Sequence, residues 1–172
     1  GAGHGPDNLP QADDSQCASC HAATQTAEWD ASVPGSHLLP SDSTQLKGLT
    51  ATIVNVTNAP PGQAPTVSFK MSNKDGSFIA PNAPDFTTLR GSLNLLFGGS
   101  TAEYATIPGS VRENATKASY DPVTGVATFT MKNKIPADAK GTWTFTLEAR
   151  RDVKLVKADG STKEMYEEGA PN

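Results

Sequence analysis

The sequence predicts a mainly β protein: an antiparallel β-barrel or sandwich domain over residues 46–172, preceded by a short helical segment within residues 1–45. Three observations point there. Apolar residues alternate with period two through the second segment, and turn residues separate those runs at short intervals. The first segment holds almost none of the β-branched apolar residues that strands favour. Strand–helix–strand spacing is absent, which excludes dinucleotide-binding and doubly wound folds. No internal repeat is visible.

The elements follow in order. Gly, Pro and Asn dominate residues 1–10 and read as a loop. Asp13 followed by Gln16 reads as a capping box. It opens a helix expected over about 14–31, supported by Ala22, Ala23, Ala27 and Ala31 and ended by Pro34-Gly35. A polar loop over 34–45 then bears His37. Six or seven short strands should follow, with Thr52, Val54 and Val56 on one face of the first. Val67, Phe69 and Met71 mark the next, then Leu93, Leu95 and Phe97, then Ala127, Phe129 and Met131. Trp143, Phe145 and Leu147 mark another, and Val153, Leu155 and Lys157 close the series. Turns are expected at Pro60-Pro61-Gly62, at 73–76, at Gly98-Gly99, at 121–125 and at 158–161.

At 172 residues the chain allows one domain plus a smaller appendage. No apolar run approaches the ~18 residues of a membrane span. A net charge of −4 argues against nucleic acid as a partner. The chain opens Gly1-Ala2-Gly3 with no signal peptide, which reads as a mature form or a piece excised from something longer.

The two cysteines and three histidines are more informative than these totals. Cys17-Ala18-Ser19-Cys20-His21 is the attachment signature of c-type haem. Thiols three residues apart lie on one side of a helical turn, so both reach the two vinyl groups on one porphyrin edge. The adjacent His21 then offers its imidazole to the iron. A thioredoxin-like redox pair would need a βαβ context. A structural zinc site would need a fourth ligand, and a histidine adjoining the second cysteine is poorly placed to share the metal with both thiolates.

For the sixth iron ligand, His37 lies in a loop able to fold back over the other haem face, and His4 is the alternative. Met71 and Met131 sit on apolar strand faces and read as core; Met165 lies in a polar tail and reads as exposed. Trp29 could pack on the haem edge or anchor a helix on the sheet. Arg150 and Arg151 could pair with haem propionates, but adjacent strand residues face opposite ways, so they read as a solvated edge, as do Lys47 and Arg90. Two matches to the glycosylation sequon, at Asn55 and Asn114, read as chance. No Ser/His/Asp or paired-carboxylate constellation can be argued.

The chain resembles the decahaem outer-membrane cytochromes of the OmcA/MtrC type, with which metal-reducing bacteria pass electrons to extracellular acceptors. The likeness covers about residues 15–160. Trp29-Asp30-Ala31-Ser32 through Ser36-His37-Leu38-Leu39-Pro40 resembles the stretch that brings a distal histidine to a haem just before a β domain. Ala64 to Lys70, Leu89 to Gly98, Ala102-Glu103-Tyr104, Ile135 to Trp143 and Leu147 to Arg151 resemble the Greek-key split β-barrel between haem clusters. The resemblance implies Cys17 and Cys20 as thioether sites, His21 as proximal and His37 as distal ligand. It also implies export to the periplasm or outer surface of a Gram-negative bacterium, with other haems or cytochromes as redox partners. Family members have ten haem strings and this chain has one, so the chain reads as a fragment: the last haem site of a cluster joined to a β domain. A closing strand would then be missing, and the exposed edge could pair with a second copy.

The function expected is therefore an electron carrier, not an enzyme, with one bis-histidine haem c. Histidine in both axial positions keeps exogenous ligands out and, compared with methionine, lowers the potential. The rivals are an open-site haem domain (gas sensor or peroxidase-like) and a β adhesion or polysaccharide-binding module with an accessory haem.

Overall fold

The computed structural model describes residues 17–99 and 110–169, with Ser19 and Cys20 described by backbone alone. The described chain is mainly β. Its strands are β1 (Thr50–Thr57), β2 (Thr66–Ser72), β3 (Ser92–Gly99), β4 (Val111–Asn114), β5 (Ser119–Tyr120), β6 (Val126–Thr130), β7 (Trp143–Val156) and β8 (Thr162–Glu168). Two four-stranded sheets result, ordered β1-β2-β6-β5 and β4-β3-β7-β8. The β1–β2, β2–β6, β5–β6, β3–β4 and β3–β7 pairs are antiparallel. Between β2 and its neighbour β6 the chain builds β3 and β4 of the other sheet.

The chain forms two compact units: residues 1–44 with 154–163, and residues 45–153 with 164–172. The larger unit has a core drawn from both sheets. Val67, Phe69 and Met71 of β2 and Leu93, Leu95 and Phe97 of β3 are all at most 1% exposed, as the alternation predicts. Ala127, Met131 and Leu147 join them, with Phe129, Trp143 and Phe145 partly buried around them. Each fully buried large side chain contributes roughly 1.5–3 kcal/mol, so this face fixes the register of every strand it touches.

Some expectations from the sequence need correction. In β1, Ile53 faces Phe69 but Asn55, not Val54, faces Ser68. Val54 is the extra residue of a β-bulge, so it is exposed while Ala51, Ile53 and Val56 face inward. Gly98 and Gly99 are not a turn. They end β3 opposite Thr144 and Trp143, and a Cβ at Gly99 would run into the Trp143 indole. The runs from Trp143 to Leu147 and from Val153 to Leu155 belong to one strand, β7. Thr162–Glu168 is a strand although it reads as a polar tail, and Met165 on it is half-buried. Its position at the sheet edge explains the polar composition: little of an edge strand needs to be apolar.

Arg151 is the plainest departure. It is 3% exposed, not solvated. Its Nη1 donates to Asn73 Oδ1 at 2.6 Å, and its Nη2 donates to the Gly48 carbonyl at 3.0 Å and to the Glu167 carboxylate. Arg150 faces the other way, as alternation requires, bonding Glu168 and lying over the Tyr166 ring.

Candidate functional site

The expected helix over 14–31 is not formed in the described part. Helix α1 is Cys17–Cys20, closed by the His21 amide on the Cys17 carbonyl at 2.8 Å. The chain then bends until α2, Val33–His37. Asp30 explains why alanine content does not prevail. Its carboxylate accepts from Thr26 N, Thr26 Oγ1 and Ala27 N on one side and from Ser32 N and Oγ on the other. These bonds give the local backbone donors a partner that a helix would have to displace. Trp29 completes the turn in the left-handed region, φ 55°, and its Nε1 donates to the Leu38 carbonyl at 2.9 Å.

Pro34 therefore does not end a helix; it lies in the first turn of one. Ser32 is the N-cap, its Oγ accepting from Gly35 N at 3.0 Å. This places His37 in the last turn of α2 rather than in a loop. The Ser32 hydroxyl bond, followed by the Thr26 amide, holds the Asp30 carboxyl well below the usual carboxylate range.

Both histidines in the described chain set Nδ1 against a main-chain carbonyl. His21, half-buried, has Nδ1 2.8 Å from the Ala31 carbonyl. His37, exposed, has Nδ1 2.8 Å from the Val33 carbonyl. A carbonyl only accepts, so each ring donates its Nδ1–H, the outer bond that a histidine ligating metal through Nε2 makes. The Val33 amide in turn donates to the Ala22 carbonyl at 3.0 Å. The segments carrying His21 and His37 are thus both tied to the stretch Ala31–Val33. Cys17 is half-buried and free of any disulfide. The Cys20 side chain, His4, and the Asp13/Gln16 capping box lie outside the described residues.

Other candidates find different places. Met71 and Met131 are core, 1% exposed each. Arg90 pairs with Glu164 at 2.5 Å near the surface. The Lys47 carbonyl accepts the Lys74 amide. Asn114 Oδ1 accepts from the Thr116 amide at 3.1 Å. Among the described residues no three His, Cys, Asp or Glu side chains form a ready metal site, and no helix is long and apolar enough to cross a membrane. The residues missed in the sequence are Asp30, Ser32 and Gly35. Ser32-Val33-Pro34, a cap residue with proline just inside the helix start, was the legible signal. No protein-family model matches the chain, and no curated protein is similar to it.

Proposed function

We propose that the chain is an electron-transfer module holding one haem c. Cys17 and Cys20 add their S–H bonds across the two vinyl groups, giving thioethers with no atom lost. His21 is the proximal and His37 the distal ligand, with His4 the alternative. When bound, the group supplies a one-electron iron couple. The observation that carries this reading is the matched pair of Nδ1–carbonyl bonds, which present Nε2 of each imidazole as a donor. The chain's own part is to attach, to ligate and to leave no axial position open, so it is a carrier rather than an enzyme.

In the wider setting the chain would belong to a multihaem outer-membrane cytochrome of the OmcA/MtrC type, exported to the periplasm or cell surface. There its β domain, a Greek-key split barrel, would serve as scaffold and spacer between haems. Redox partners would be other haems or cytochromes. The test is the protein expressed with haem-attachment machinery. A covalent haem, a six-coordinate low-spin spectrum and no carbon monoxide uptake by the reduced form are expected. A high-spin spectrum or rapid uptake would overturn bis-histidine ligation and favour the open-site rival.

A further inference from the structure

We infer that Asp30, acting through Ser32 and Gly35, is the positioning residue for both imidazoles. The inference rests on reading His21 and His37 as axial ligands. The two carbonyls that hold the rings belong to Ala31 and Val33, and the residue between them is Ser32. Ser32 is 4% exposed and is held by Asp30 at both its amide and its hydroxyl. With its proton given to Asp30 Oδ1, the hydroxyl has a lone pair left for Gly35 N, and that bond starts α2. Asp30 Oδ2 meanwhile gathers Thr26 and Ala27, closing the turn that brings the chain back from His21.

Gly35 gives an independent sign that this unit is built around the carboxylate. A Cβ there would collide with Asp30 Oδ1 and would come within 2.9 Å of the Asp30 carbonyl and of Ser32 Oγ. Only glycine lets α2 pass so close. The pattern Asp30-x-Ser32-x-x-Gly35-x-His37 is therefore one device: an anchor, a cap, a close approach and a ligand. Asp30 touches neither imidazole; it sets the backbone to which both are bonded.

The test uses the full chain with its haem attached, in wild type and in Asp30→Ala, Asp30→Asn, Gly35→Ala and Glu28→Ala. Exchange of the His21 and His37 Nδ1 protons is followed by nitrogen-edited NMR of the reduced form. Visible spectra and carbon monoxide uptake report ligation, and far-UV circular dichroism reports the sheets. Asp30→Ala and Gly35→Ala should each speed both Nδ1 exchange rates at least tenfold and admit carbon monoxide, with the sheet signal unchanged. Asp30→Asn, which keeps one acceptor oxygen, should fall between. Glu28 also gathers a loop, bonding Ser43 and Thr44; its variant should leave both protons protected. Protected protons and a closed iron in Asp30→Ala and Gly35→Ala, or equal loosening by Glu28→Ala, would overturn the positioning role. If wild type attaches no haem, the functional reading fails, and the same exchange comparison in the haem-free chain still decides what Asp30 does.

Discussion

His21 and His37 each donate Nδ1–H to a main-chain carbonyl, and those carbonyls, Ala31 and Val33, are separated by one residue. Sixteen positions apart in sequence, the rings are referred to the same short piece of backbone. Side-chain freedom that each imidazole would otherwise lose on binding metal is already restricted, which is the role such outer-shell bonds have at metal sites.

Removing one ring should therefore open one position without disturbing the other. His37→Ala is expected to keep covalent haem, turn partly high-spin and bind carbon monoxide when reduced; added imidazole should restore the low-spin spectrum. A variant that stays six-coordinate would make His4 or another group the ligand.

Acid should act on the Asp30 turn late. Its folded pKa is depressed, by the Ser32 hydroxyl first and the Thr26 amide next, so its contribution is complete above the ordinary carboxylate pKa and is lost as pH falls through the lower folded value. The Gly35 amide resonance should thus hold steady through about pH 4, where free Asp titrates, and move only below it. A shift centred near pH 4 would contradict the five hydrogen bonds. Asp75, Asp121 and Asp159 are depressed in the same sense, through Ser77, Thr124 and Ser161, so the turns they hold should share this acid resistance.

The buried pair Arg151–Glu167 should show strong coupling. Glu167→Ala strands a guanidinium that is 3% exposed and is expected to cost about 3–5 kcal/mol in denaturant unfolding. Replacing both partners by leucine should cost much less than the two single changes together. Additive losses would mean that the pair is not desolvated.

Phe69→Ala should destabilise the larger unit by about 3–5 kcal/mol, since the ring is 0% exposed and packed from both sheets. The urea midpoint should fall at constant slope. A loss under 1 kcal/mol would mean the core had collapsed into the space.

Glu113 should matter in a smaller degree. Burial raises its pKa, but the Lys132 and Asn133 amides, at 2.9 and 2.8 Å, outweigh that and leave the carboxyl below its ordinary value. It joins β4 to the loop after β6, so Glu113→Ala should cost about 1–2 kcal/mol. No change in the urea midpoint would show that water replaces those bonds freely.

Strand β2 was legible because its burial alternates without interruption, and most of β3 because Leu93, Leu95 and Phe97 keep the same period. β1 was misread because a bulge reverses the alternation midway, and nothing in Ile53-Val54-Asn55 announces an extra residue. β8 was missed because edge strands need little apolar surface. Around the candidate site, Cys17, Cys20, His21 and His37 stand out in the sequence by residue type, spacing and resemblance, while the hydrogen bonding of Asp30 was hidden inside an alanine-rich stretch read as helix. Helix propensity sums weak terms along the chain; one carboxylate accepting five hydrogen bonds outweighs them.

The smaller unit is not a detachable tag. It draws on two stretches, 1–44 and 154–163, and the second includes the end of β7 and the turn into β8. Leu155, in the second stretch, is 1% exposed and stands outside the core cluster. Cutting the chain after Thr44 would divide this unit between two pieces. A graft of this unit onto another scaffold would have to be made at two seams, one on each stretch.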